Sequence, residues 1–80
     1  SVGLFIDVGA DDNRVVANRL DARIAGIVLQ GSSQNHVSLN VVCRAAAAVE
    51  QRVGLWDNER AAQPVANRLE RNRLAPTCKT

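Results

Sequence analysis

Methionine and tyrosine are absent from this 80-residue chain, and Phe5 and Trp56 are its only aromatic side chains. Its interior therefore has to be aliphatic, drawn from the Val, Ala, Leu and Ile that make up most of the 46% hydrophobic fraction. Each larger aliphatic side chain contributes about 1.5–3 kcal/mol when fully buried. The same scarcity removes the aromatic platforms on which single-stranded bases stack. No hydrophobic run reaches the roughly 20 residues that a membrane-spanning helix requires, so no membrane span is expected. The glycines, Gly3, Gly9, Gly26, Gly31 and Gly54, are scattered and form neither GxGxxG nor a GK[ST] phosphate loop. His36 is the single histidine, and Cys43 and Cys78 form no CxxC, so no metal site and no cofactor are expected.

What is present is arginine, with nine against one lysine and eight acidic residues, for a net charge of +2. That charge is too small to draw nucleic acid or an anionic membrane through its field alone. The chain has the length of one domain, residues 1–80. A chain this short buries only about 60–65% of its unfolded surface and gains from a covalent brace. A Cys43–Cys78 bridge would close a loop of about 36 residues and contribute roughly 3–4 kcal/mol. Cys78 lies in an otherwise polar tail, Pro76-Thr77-Cys78-Lys79-Thr80, where a lone cysteine makes sense as a tether. The expectation is a disulfide, and with it a secreted protein. The start at Ser1 fits a processed chain and equally fits loss of an initiator methionine.

Val2, Leu4, Ile6 and Val8 alternate with Gly3, Phe5 and Asp7, which predicts a strand with one aliphatic face. Asp11 or Asp12 then reads as the N-cap of a helix to about Ile24, with Val16, Leu20 and Ile24 as its apolar row. Gly26 breaks that helix. Ile27-Val28-Leu29 reads as a strand buried on both faces, or as more helix. Residues 31–35 are a turn. Val37, Leu39 and Val41 predict a strand through about Val42, the rival being a helix capped by Ser38. The Ala-rich stretch 41–53 reads as the central helix, with Val42, Ala46, Val49 and Val53 on one face and Gly54 as its stop. Leu55-Trp56 is a short strand or turn. Asp57 reads as the cap of helical residues 58–63, and Pro64 opens a last helix over 65–74.

Two stretches echo each other. Val2-Gly3-Leu4-Phe5 returns as Val53-Gly54-Leu55-Trp56, and Val16-Ala17-Asn18-Arg19-Leu20 returns as Val65-Ala66-Asn67-Arg68-Leu69, at offsets of 51 and 49. Chance recurrence in a chain rich in these residues is the alternative. Taken as a repeat, the echo gives a split β-α-β order. The fold expected is thus α/β (α+β), a two-layer sandwich with a small, mostly antiparallel sheet and helices packed on one face. An all-α bundle is the alternative.

Candidate chemistry is sparse. Asp7, Asp11 and Asp12 cluster where strand-end carboxylates hold Mg²⁺ in phosphotransfer and nuclease folds, but that pattern needs a second Asp two residues after Asp7, where Val8 stands, and 80 residues leave little room for other acidic ligands. They read as a solvent-facing aspartate and a cap. His36 lies near Ser32, Ser33 and Ser38 without a glycine elbow, and Cys43 sits in an aliphatic row that disfavours its thiolate, so no catalytic residue is expected. Arg60, Arg68, Arg71 and Arg73, with Lys79, make the C-terminal third basic. Arg68, Arg71 and Arg73 are candidate partner-binding residues on a helical face. Trp56 is either an exposed anchor for a partner or the bulky plug of the core, and the plug is preferred. The function expected is a small, non-enzymatic, secreted interaction protein of toxin-subunit or effector type, acting on a protein partner or second subunit. The alternatives are an intracellular oligomerisation or regulatory module with free thiols, and a weak nucleic-acid binder using the C-terminal arginines.

Overall fold

The computed structural model describes residues 1–78, and among them there is no helix. The chain winds three times. The first coil holds β1 (Val2–Ile6), β2 (Arg14–Val16) and β3 (Arg19–Asp21). The second holds β4 (Ala25–Gln30), β5 (His36–Ser38) and β6 (Val41–Cys43). The third begins with β7 (Ala47–Arg52), makes an excursion through β8 (Gly54–Trp56) and β9 (Arg60–Ala62), and closes with β10 (Arg68–Glu70) and β11 (Arg73–Ala75). Strands at corresponding places in successive coils pair in parallel, giving sheets β1-β4-β7, β2-β5-β10 and β3-β6-β11. This is a short parallel β-helix, in which the strands of each coil pair only with those of its neighbours. The smallest dimension of the molecule, 12 Å, is close to the two steps of about 4.8 Å that stack three strands.

The corners explain why the chain winds. Asp12, Gln34 and Ala66 share left-handed backbone angles (φ 59°, 59° and 59°), and so do Ala17, Leu39 and Arg71 (φ 58°, 56° and 53°). Each is followed by asparagine: Asn13, Asn35 and Asn67 in one column, Asn18, Asn40 and Asn72 in the other. A left-handed residue costs about 1–2 kcal/mol when it is not glycine. Hydrogen bonds between coils offset this. The Ala17 and Leu39 amides donate to the Ser38 and Glu70 carbonyls at 3.0 and 3.1 Å. The Asp12 and Gln34 amides donate to the Ser33 and Val65 carbonyls at 3.2 and 3.0 Å.

The asparagine side chains tie coil to coil. Asn40 Oδ1 accepts the Asn18 backbone N–H at 2.9 Å, and its Nδ2 donates to the Val15 carbonyl at 3.0 Å. Asn72 repeats this one coil on, with Oδ1 on the Asn40 amide and Nδ2 on the Val37 carbonyl. In the first column Asn35 Oδ1 accepts from the Asn13 amide, and Asn67 Oδ1 accepts from the Asn35 amide. Buried polar groups at each turn thereby find partners, as an interior requires. The columns also fix the period: paired asparagines are 22 residues apart between the first two coils and 32 between the last two. The extra length is the β8–β9 hairpin. Its Asp57 and Asn58, at φ 47° and 61°, suit the left-handed turn that matches strand twist.

Inside the coils, Ile6, Val15, Ile27, Leu29 and Val37 form one aliphatic cluster, with Leu20 and Val49 packed against it. Small residues are needed where the walls come closest. A Cβ on Gly26 would run into the Val42 side chain and lie 2.8 Å from the Ala48 carbonyl oxygen.

The expected α/β sandwich is therefore corrected, and so is its all-α alternative. Val2–Ile6 is a strand, and Ile27-Val28-Leu29 is buried within β4, but the sheets containing them are parallel. The helix expected over 12–24 is two strands joined at Ala17. The Ala-rich helix expected over 41–53 is instead β6, an Arg44 corner (φ 69°) and β7. Helix propensity is a weak local preference, and here pairing of β7 along β4 overrides it. Alternation at Val37, Leu39 and Val41 hid a corner, since Leu39 is the left-handed residue and is 50% exposed. The segments expected as helices over 58–63 and 65–74 are a hairpin arm and the strands β10 and β11. Pro64 precedes a corner, not a helix. The echoed Ala-Asn-Arg-Leu stretches are both asparagine corners, but they belong to different columns, so no β-α-β repeat exists.

Candidate binding surface

The expected bridge is present: Cys43, at the end of β6, is bonded to Cys78, with Cα atoms 5.1 Å apart. It clamps the end of the third coil onto the second. Asp21 lies beside these sulfurs, close enough to make a ligand-like trio, but bridged sulfurs carry no thiolate for a metal. Asp21 instead takes a two-pronged hydrogen bond from Arg44, whose Nε lies 2.9 Å from Oδ1. That bond, and then the carboxylate's charge, holds the Arg44 guanidinium above its ordinary value.

The aspartates near the first coil have loop duties. Asp7 Oδ1 accepts the Val8 amide at 2.7 Å, and Asp11 Oδ1 accepts the Ser33 amide at 2.8 Å. Asp12 is a corner residue and starts no helix. Ser32 donates to the Ile6 carbonyl at 3.2 Å, and Ser33 Oγ accepts the Val65 amide at 3.0 Å, so both hydroxyls are engaged in joining coils.

Trp56 is not the core plug. It is 44% exposed at the end of β8, and its ring lies over the first coil, since a Cβ on Gly9 would sit 3.1 Å from Trp56 Cη2. The hairpin therefore folds back along the side of the stack. The tail also turns back, to Cys43 in the second coil. β10 and β11 each lie at the edge of their sheet.

That edge carries the arginines singled out in the sequence, now on strands and a corner. Arg68 opens β10, Arg71 is the corner and Arg73 opens β11. Arg68 Nε donates to Glu70 Oε1 at 2.7 Å, while Arg71 and Arg73 form no ion pair among the described residues. The hydrogen bond from Arg68 is the main cause that holds the Glu70 carboxyl below its ordinary value, with the charges of Arg68, His36 and Arg71 adding to it. Arg60 lies apart, on the hairpin, and Lys79 lies outside the described residues.

The outer face of β2, β5 and β10 forms a groove of about 640 Å³ across all three coils. Register stacks Arg14, His36 and Arg68 in one row and Val16, Ser38 and Glu70 in the next. Leu39 and Arg71, from the corner column, form its rim. His36 Nε2 is buried there and has no hydrogen-bond partner among the described residues. Sequence reasoning missed this groove because it put Arg14 on a helix ending at about Ile24 and Arg71, a candidate partner-binding residue, on another helix over 65–74. The signal that joins them is the asparagine pair spaced by five, which occurs in every coil.

Comparisons of the chain with family models, with curated proteins and with solved structures returned no match. Function must be argued from the geometry alone.

Proposed function

We propose that this chain is a small, disulfide-braced, secreted interaction protein that captures an extended, acidic segment of a protein partner along its last coil and catalyses no reaction. One observation carries the reading. The amides of Asn13, Asn18, Asn35 and Asn40 each donate to an asparagine of the next coil, but those of Asn67 and Asn72 donate to no acceptor among the described residues. An added strand would supply those acceptors and continue the parallel stack, as in other cases of strand addition to a sheet edge.

Charge selects the partner's chemistry. From Arg68 to Ala75 there are three arginines and one glutamate, and that glutamate is already paired with Arg68. A second copy stacked head to tail in the same register would set its Arg14 and Arg19 against Arg68 and Arg73. Like charges opposite one another destabilise a strand pair, and charged edges are a general guard against self-association. An acidic strand meets no such penalty. The Cys43–Cys78 bond supports an oxidising compartment. It also weighs against an intracellular module with free thiols.

Titration of ¹⁵N-labelled protein with acidic and basic extended peptides tests this. The acidic peptide should shift the Asn67 and Asn72 amides, weaken with salt, and lose about tenfold in affinity against Arg73→Glu. Shifts confined to the first coil, or equal binding of the basic peptide, would remove the reading. Intact mass of the natural product should be two hydrogens short of the dithiol; a full dithiol mass contradicts secretion.

A further inference from the structure

We infer that the groove over β2, β5 and β10 is a separate binding site, for a small polyhydroxylated phosphate monoester of the sugar-phosphate class. Arg14 and Arg71 line the groove from the first and third coils, and neither forms an ion pair among the described residues. His36 lies between them in the second coil, with a buried Nε2 that has no partner. A buried polar atom left unpaired costs about 1–3 kcal/mol, which makes it a marked feature in a native interior. Arginine guanidinium groups present fork-like donors that match oxyanions. Two such forks and an imidazole on three coils suit a tetrahedral oxyanion better than a flat carboxylate, which two parallel bonds from a single arginine would satisfy.

The rest of the groove argues for more than a bare ion. Its volume of about 640 Å³ far exceeds that of a phosphate. Glu70 uses only Oε1 on Arg68, so Oε2 accepts nothing among the described residues and is free to take a ligand hydroxyl. Ser38 stands beside it on β5 as a second hydroxyl partner, and Val16 and Leu39 offer apolar contact to a carbon skeleton. A carboxylate within a basic groove disfavours a ligand that is anionic throughout. It favours one with a charged end and a hydroxylated body. His36 Nε2 is covered in this structure, so a ligand reaches it only after a neighbouring side chain moves.

This site shares Glu70 and Arg71 with the last coil's edge but not Arg14 and His36, so variants at those two residues separate it from the strand-capture reading. The test is an NMR titration of the full chain with glycerol 1-phosphate, inorganic phosphate and glycerol. Glycerol 1-phosphate should give saturable shifts at the His36 ring and the Ser38 and Leu39 amides. Inorganic phosphate should bind the same residues more weakly, and glycerol should do nothing. Arg14→Gln and His36→Gln should each weaken glycerol 1-phosphate at least tenfold, with an unchanged circular-dichroism spectrum. Arg73→Glu should leave this binding intact. The inference is overturned by the absence of saturable shifts. It is equally overturned by shifts spread over Arg44, Arg52 and Arg60, or by Arg14→Gln binding as well as the parent.

Discussion

The second and third coils have the same plan and opposite surroundings. In the second, Ile27, Leu29, Val37 and Val42 are wholly buried, because a coil lies on each side. In the third, the residues in register with Val37 and Val42 are Leu69 and Leu74, and they are 37% and 46% exposed. The difference teaches how this molecule is stabilised. A coil gains from its neighbours and very little from its own sequence, as expected of a solenoid. The third coil has one neighbour, and it is the coil that holds both the disulfide anchor and the hairpin that reaches back to Gly9.

Truncations in the two coils should separate them most. Ile27→Ala should lose about 4 kcal/mol, in the range for a fully buried aliphatic residue. Leu69→Ala should lose about 1 kcal/mol, since much of its side chain is already in water. Urea unfolding of both variants measures this, and equal losses would erase the distinction. Removing the bridge comes next. Cys78→Ser should lower stability by about 3 kcal/mol in the chain-entropy account. Hydrogen exchange should then rise in β10 and β11 well before β5 and β6; uniform loss of protection would contradict a clamp that serves the third coil.

The asparagine columns give a finer contrast. Asn40→Ala strands the Asn18 amide and the Val15 carbonyl, and should lose about 2–3 kcal/mol. Asn13 reaches only the Ala10 carbonyl with its side chain, so Asn13→Ala should lose about 0.5 kcal/mol by the same melting experiment. The smallest effect is electrostatic. Glu50 and Glu70 are both held below the ordinary value of 4.5, chiefly by hydrogen bonds from Arg52 and Arg68. A carboxyl whose value is lower in the folded state binds fewer protons there. Its contribution is therefore present above 4.5 and is lost as pH falls further. Both side chains are partly exposed, at 40% and 47%, so the loss should be slight, centred on the third coil, and largely screened by salt. A melting temperature that rose on acidification through this range would reverse the sign.

Some of this was legible from residue order. The strand at Val2–Ile6, the buried run at Ile27-Val28-Leu29, the turn after Gly31 and the Cys43–Cys78 bond all follow from alternation, β-branching and the isolated cysteines. The winding was hidden because short strands of three residues fall below any period that can be counted. Arg14–Val16 and Arg19–Asp21, separated by Ala17-Asn18, look like two turns of an amphipathic helix. Left-handed Ala17, Leu39 and Ala66 give no warning, because none is glycine. The recoverable signal was the asparagine pair, 13/18, 35/40 and 67/72, whose unequal spacing of 22 and 32 masks the repeat. The arginines of the last coil were noticed for their charge, but the groove needed three coils to bring Arg14, His36 and Arg71 together.

The central claim is a column of parallel strands through all three coils, and nuclear Overhauser contacts between backbone protons test it most directly. The account predicts cross-coil contacts linking Val15 to Val37 and Val37 to Leu69, with a matching series from Leu20 through Val42 to Leu74. Helical contacts between residues three apart across 41–53, or β2 and β3 paired with each other, would contradict it.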